Sequence, residues 1–277
     1  MRYLVKVFYE GANYYGYQRQ PEHLTIEGAI INALEKTGYI ENTEQSNFKS
    51  ASRTDKFVNA IGNTFAFNTD KKIILEQLNS EFSKDQSIIA WAYSEVDEDF
   101  IPKYSKWKKY WYILPLDFVL NNKGLSIEKI KELGSYFVGE HDFRLFCKLD
   151  HRKTVREIQE FNLFNFNSVL ILEFKAQSFL WEQVRRIVAY ILKYEFLPEE
   201  MKKVELLLSS PEEMNNINLE PANPKNLVLV EQKYEDVKWI RNEREIKTIQ
   251  KKLSRNMMKL NKILSVNSAI NHFFQTN

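Results

Sequence analysis

Residues 169–192 read "VLILEFKAQSFLWEQVRRIVAYIL", and two periodicities follow each other there. In the first eight residues Leu170, Leu172, Phe174 and Ala176 point one way, with Glu173 and Lys175 on the other. That is the period of two of a half-buried strand. Past Ser178 the spacing changes. Leu180, Val184, Ile187, Val188, Ile191 and Leu192 recur at threes and fours, which at 100° per residue makes one apolar face. The segment predicts a strand leading into a helix over 179–192, the strongest helix signal in the chain. Arg186 falls on the far side of this helix, towards solvent. Arg185 falls at the border of the apolar face, near Trp181 and Leu192, where an arginine either snorkels or pairs with a buried acid.

The N-terminal part repeats the alternation of strand and helix. "YLVKVFYE" (3–10) has strand periodicity, and "GANYYGYQRQPEHL" (11–24) reads as a loop. Thr25 caps a helix with Ile26, Ala29, Ile30, Ala33 and Leu34 on one face, and Gly38 is its stop. "NTFAFN" and "SIIAWAYSEV" predict two more strands, with a helix near 71–82 between them. Acids and a proline interrupt the pattern at Asp97–Pro102, where a second unit begins. There "KYWYILPL" is a strand with Tyr110, Tyr112 and Leu114 on one face, residues 126–138 look helical, and "KNLVLVEQKYE" closes the unit as a strand. Two such units predict an α+β (α/β) architecture with mixed, mostly antiparallel sheets flanked by helices. The expected division is 1–100, 101–237 and a helical extension over 238–277.

With 277 residues, 44% hydrophobic, the chain is long enough for a substantial core. A single cysteine, Cys147, excludes an intramolecular disulfide framework and a thiolate metal cluster. The four histidines are scattered without ligand spacing, and no glycine-rich phosphate loop is present. "MRYLVKVFYE" does not read as a signal peptide, and no run approaches a membrane span of about 18 apolar residues. The expectation is a soluble, intracellular, cytoplasmic protein without metal or cofactor. Residues 238–277 carry nine Lys/Arg and two acids, a net +7 in a chain whose total is +2. Ile246, Ile249, Leu253, Met257, Leu260 and Leu264 run as one apolar stripe along this basic helix. It either docks on the body, pairs with a partner helix or reaches an anionic partner such as nucleic acid.

One polar stretch is a candidate for chemistry. In "SRTDKFVNA" (52–60), Arg53 and Asp55 share a side of an extended segment. A carboxylate held ionised by a cation in a partly dry site is a potential nucleophile or base, and Arg185 is a candidate cation. "KYSKWKKYWY" (103–112) mixes five aromatics with four lysines. Cations beside planar rings suit RNA with unstacked bases, or else make a core strand with a solvated lysine edge. The pair His141–Asp142 in "GEHDF" reads as a turn or helix cap, because adjacent side chains rarely face each other.

In order, "FYEGANYYGYQRQPEHLTIEGAIINAL", "SRTDKFVNAIGNTFAF", "PKYSKWKKYWYIL", "FVGEHDFRLF" and "AQSFLWEQVRRIVAYIL" resemble five motifs of the tRNA pseudouridine synthase A family, spread over residues 4 to about 237. The resemblance implies two α/β domains with RNA held in a cleft between them, and a homodimer in which one tRNA touches both subunits. It implies detachment of a uracil from C1′ and its reattachment through C5, in the anticodon stem-loop of tRNA (positions 38, 39 or 40), with no cofactor and no metal. By the same resemblance Asp55 falls on the catalytic aspartate, as nucleophile or as base towards the ribose. Tyr110 falls on the tyrosine against the target base and Arg185 on the arginine that pairs with the aspartate. Arg53 falls on the arginine that helps hold the flipped base, and Leu227 on an apolar residue packed on the uracil. Tyr112, Lys103, Lys108 and Lys109 fall on RNA-binding positions, the lysines where arginine is frequent; they keep charge but lose bidentate geometry. The chain departs from the motif at Ser52, Phe57 and Asn59, where the family has Gly, Gly and His. A bulky residue at Phe57 is strained if the position needs a positive φ.

Overall fold

The computed structural model describes residues 1–82, 85–122, 125–193, 198–212 and 219–276. In chain order the elements are β1 (Arg2–Tyr9), α1 (Ile26–Lys36), β2 (Lys49–Ser50), β3 (Asn59–Asn68), α2 (Leu75–Ser80), β4 (Ile88–Val96) and β5 (Trp107–Pro115). There follow α3 (Leu116–Leu120), α4 (Ile127–Ser135), β6 (Gly139–Asp142), β7 (Val155–Phe166), β8 (Val169–Ala176) and α5 (Gln183–Lys193). α6 (Pro198–Ser209), β9 (Leu227–Lys233), β10 (Ile240–Arg241) and α7 (Glu243–Thr276) complete the chain.

The caps explain several boundaries. The Thr25 hydroxyl accepts from the Gly28 N–H at 3.2 Å at the start of α1, and Ser126 accepts from Lys129 at 3.2 Å at the start of α4. Gly38 takes φ +68°, so that Tyr39 N–H returns to Leu34 O at 2.9 Å and closes α1. α2 is shorter than the expected 71–82. "GEHD", expected as a turn or cap, is strand β6, paired with β7 from Gly139↔Ile158 to Asp142↔Val155. The sequence pattern missed it because four residues are too few to show a period.

The strands form one mostly antiparallel sheet in the order β10-β4-β1-β3-β9-β5-β8-β7-β6, with β2 on β3. β9, the last long strand, lies between β3 of the first half and β5 of the second. It pairs parallel with β3 (Asn59↔Val228, Ala60↔Leu229) and antiparallel with β5. This insertion brings the loop before β3 and the start of β9 to the middle of the sheet. One apolar core runs beneath both halves: Tyr3, Val5 and Phe65 belong to it, and so do Tyr110, Leu172, Val184 and Ile187. The face of β5 read from its alternation is the buried one. In β8, expected to be half-buried, Ile171 and Glu173 on the second face are buried as well as Leu170, Leu172 and Phe174.

The C-terminal segment docks as far as Asn256, about half of residues 238–277. β10 pairs with the β4 edge. Lys252 is buried, donating to Asp85 O at 2.6 Å and ion-paired with Glu10 at 2.8 Å. Asn256 Nδ2 donates to Glu10 at 3.1 Å. Beyond it Met257, Leu260, Ile263, Leu264, Ile270, Phe273 and Phe274 are all more than half exposed. A chain ending at Asn256 should therefore melt with the full chain. One ending at Val237 loses β10 and the buried Lys252 pair and should melt lower by at least about 4 °C, at roughly 2–4 °C per kcal/mol for a chain of this size. Thermal unfolding of both truncations checks this. No helix among the described residues is long and apolar enough to cross a membrane.

Candidate active site

The chain before β3 is not part of a ladder, yet its side chains alternate. Ser52 and Thr54 are buried, Arg53 is exposed and Asp55 is half-buried. The inward side is fixed by hydrogen bonds. Thr54 Oγ1 shares one with the Tyr9 hydroxyl at 2.8 Å, and Thr54 O accepts from Tyr17 N–H at 3.1 Å. Asn63 Nδ2 donates to Ser52 O at 2.9 Å and to the Tyr9 hydroxyl at 3.1 Å. Gln232 Nε2 donates to Ser52 Oγ at 2.7 Å and to Asn63 Oδ1 at 2.9 Å. Side chains from three strands, β1, β3 and β9, thus hold two residues of the loop, and Arg53 and Asp55 are presented on the opposite side. Buried networks of this kind specify one arrangement because each unpaired member is costly.

Residues Asp55–Val58 form a tight turn, closed by Val58 N–H to Asp55 O at 3.2 Å. Phe57 is its third residue and has φ +70°, while Lys56 has an ordinary φ. That is the pattern of a type II turn, whose third position favours glycine. A non-glycine residue there costs about 1–2 kcal/mol. Gly11 packs against this turn so closely that a Cβ on it would lie 2.2 Å from Val58 O and 2.7 Å from the Phe57 carbonyl carbon. Asn59 fastens both flanks: its Oδ1 accepts from Gly11 N–H and its Nδ2 donates to Lys225 O, each at 3.0 Å.

Arg185 reaches this loop from α5. Its Nη2 donates to Asp55 Oδ2 at 2.9 Å and to Glu182 Oε1 at 3.1 Å, and its Nη1 to Ala222 O at 3.1 Å. The guanidinium is buried, with 8% exposure, whereas Asp55 keeps 28%. Asp55 Oδ1 accepts no hydrogen bond among the described residues. The carboxylate is therefore anchored by one oxygen and presents the other. Arg186 is not directed to solvent as the helical wheel suggests. It donates to Glu182 Oε2 through Nε (3.0 Å) and Nη2 (2.7 Å), and to Leu219 O through Nη1 (2.7 Å). Arg186 does lie on the far side of the apolar face, but that side is covered by Glu182 (φ +63°) in the turn before α5 and by the Leu219 carbonyl, which is distant in the chain.

Tyr110 and Tyr112 lie on the buried face of β5, opposite Leu229 and Leu227 of β9. Burial, with Tyr9 and the Asp55 carboxylate nearby, pushes the Tyr110 phenol up, opposed by a hydrogen bond with Ser52. Tyr110 is thus a neutral phenol at physiological pH, close enough to Asp55 to feel its charge. Its ring meets Phe179 edge-on at 5.2 Å. Burial pushes Tyr112 up to about 12, against the nearby charge of Arg185 and a backbone hydrogen bond at Asn223. Leu227 is buried at the start of β9.

The cations divide. Arg53 is exposed and makes no hydrogen bond or ion pair among the described residues. Lys103 is exposed; Lys108 is buried on the Tyr110 face and has no ion pair among the described residues. Lys109 lies on the other face of β5 and pairs with Glu173 at 3.2 Å, so the structure does not bring it to Asp55. Burial, with the charge of Lys103, pulls Lys108 down to about 8. Its folded value is below the unfolded value of about 10.4, so between pH 8 and that value the unfolded chain binds more protons and stability rises with pH. Lys108→Met should remove this rise and stabilise the fold at pH 7 by about 3 kcal/mol, while weakening any anion bound at this face. Denaturant titrations at pH 7 and pH 9.5 check both slopes.

The model of the tRNA pseudouridine synthase family matches residues 134–235, which include α5 with Arg185 and β9 with Leu227. A tRNA pseudouridine synthase A from Thermococcus sibiricus is 39% identical over 242 residues, covering 86% of this chain and 87% of the relative. The enzyme of the same name from Pyrococcus abyssi is 37% identical over 255 residues, 91% of this chain and 92% of its own. The chain belongs to the tRNA pseudouridine synthase A family. The family is one of isomerases, and the two relatives cover 86% and 91% of this chain.

For a member of the tRNA pseudouridine synthase A family, the sequence reading missed several supporting groups. Glu182 carries both arginines. Ser52 touches Tyr110, and Asn59 ties the Asp55 turn to Lys225. Glu182, three residues before Arg185 at the helix entry, was findable from its spacing alone. The contacts of Ser52 and Gln232 were not, because they depend on β9 entering the middle of the sheet.

Proposed function

We propose that the chain isomerises uridine to pseudouridine in the anticodon stem-loop of tRNA, with Asp55, Tyr110 and Arg185 as its catalytic residues. The observation that supports this most is the half-exposed Asp55 carboxylate anchored through one oxygen by buried Arg185, beside a neutral buried phenol. The reaction breaks N1–C1′, forms C5–C1′, releases the C5 proton to solvent and leaves a proton on N1. Asp55 acts on the ribose, as nucleophile at C1′ or as base during elimination. Arg185 keeps the carboxylate placed through one oxygen and leaves the other towards the substrate. Tyr110 lies against the base and exchanges a proton with it. Leu227 and Tyr112 line the pocket for the uracil. Arg53, free on the outer side, occupies the place the flipped base leaves, and Lys103 and Lys108 take phosphates. On this reading the protein works in the cytoplasm on tRNA as a homodimer, and residues 1–100 and 101–237 are its two lobes about the site.

The test follows from the atom balance. A tRNA transcript tritiated at uracil C5 must lose label to water when C5–C1′ forms. Release proportional to enzyme turnover is expected. Tight binding of tRNA without release would favour a non-catalytic tRNA-binding protein on the same scaffold.

A further inference from the structure

Phe57 holds a strained φ of +70° two residues from Asp55, and the fold gains no core packing in return. It belongs to neither apolar core cluster and remains half-buried. Its ring is instead flanked by two cations, Lys56 Nζ at 4.8 Å and Lys225 Nζ at 5.4 Å from the centroid. Lys56 also sits 3.5 Å over the ring of Tyr15. Tyr15 is 46% exposed and stacks on His23 at 3.9 Å. Both flanks are fixed: Asn59 binds Lys225 O, and Gly11 abuts the Phe57 backbone. Strain without packing gain persists at positions where a side chain meets a ligand. Rings interleaved with lysines fit single-stranded or flipped-out RNA, where bases stack and phosphates meet the cations.

We propose that Phe57 is a substrate-positioning residue: its ring stacks on the RNA base adjacent to the isomerised uridine, and Lys56 and Lys225 take the phosphates on either side of that base. This rests on the reading of RNA as the substrate and assigns the surface just outside the catalytic carboxylate. Because the ring lies beyond the reacting atoms, its contribution falls on binding rather than on the chemical step.

Phe57→Asn tests this, because asparagine tolerates positive φ but offers no ring. It should melt at or above the wild-type temperature, raise KM for tRNA about tenfold and leave kcat within about twofold, a size expected for one lost base–aromatic contact. Phe57→Trp should restore KM. A stem-loop RNA carrying 2-aminopurine beside the target uridine should be quenched on binding wild type and Phe57→Trp, and not on binding Phe57→Asn. An unchanged KM in Phe57→Asn, or equal quenching by all three proteins, overturns the proposal. So does a fall in melting temperature that tracks the rise in KM and is not reversed by tryptophan, which would make Phe57 a structural residue. If wild type releases no tritium from tRNA, the reading of the reaction fails by itself, and the 2-aminopurine arm still decides whether the ring stacks on RNA.

Discussion

Asp55→Asn should abolish tritium release, a loss of roughly 10⁴-fold or more for a group that acts directly on the substrate, while tRNA binding and melting change little. The contrast follows from how the carboxylate is held. Asp55 meets only one nitrogen of Arg185. After the substitution Arg185 keeps Glu182 through Nη2 and Ala222 O through Nη1. The buried cation is therefore not orphaned, which is the circumstance that makes breaking a buried pair costly. The Ser52 and Thr54 anchors on the inner side of the loop are untouched. Asparagine has the same size and can accept the Arg185 hydrogen bond through its amide oxygen, but it is a poor nucleophile and not a base. Activity lost with the fold kept is thus the expected signature, read by tritium release, filter binding and thermal melting on the same preparation.

Arg185→Leu and Arg186→Leu should separate activity from stability. Arg185→Leu removes the anchor on Asp55 Oδ2 and should lower kcat by about 10²–10³-fold, the size expected when a reacting group is misplaced by about an ångström. Arg186 has no contact with Asp55; its bonds are to Glu182 and Leu219 O. Its loss should cost stability, about 1–3 kcal/mol for the partly buried charged hydrogen bonds, and leave kcat within about threefold. Glu182 stays paired in either variant, because each arginine uses a different oxygen of it. Equal activity losses in the two variants would contradict the pairing of Arg185 with Asp55 as a functional contact.

The legible parts of the molecule are those that local periodicity dictates. β5, β8 and α5 came from spacing, and so did the inward faces bearing Tyr110, Tyr112, Leu172 and Val184. Even the separation of Lys109 from Lys108 was implicit in the alternation of β5, since neighbouring side chains on a strand leave opposite faces. Arg185 stood out because it lies at an apolar border. What the sequence could not show is the placement of β9. A parallel pairing between residues about 170 apart leaves no local signal, and it is this pairing that joins the Asp55 loop, Leu227 and Gln232. Arg186 was misread for the same reason, since its partner Leu219 is distant in the chain. The strained conformation of Phe57 was anticipated from the motif it departs from, whereas the cations about its ring required the fold. The C-terminal stripe was legible as a helix, but only tertiary contacts reveal that it leaves the body after Asn256.

Whether this chain uses Asp55 to make pseudouridine in tRNA is read by mapping the product. Unmodified tRNA transcripts are incubated with wild type or with Asp55→Ala, treated with carbodiimide and alkali, and read by primer extension. Wild type should give a new stop one nucleotide 3′ of a uridine in the anticodon stem-loop, and Asp55→Ala should give none. A stop of equal strength with both proteins, or no stop in any tRNA that wild type binds, would rule out Asp55 as the residue that makes pseudouridine.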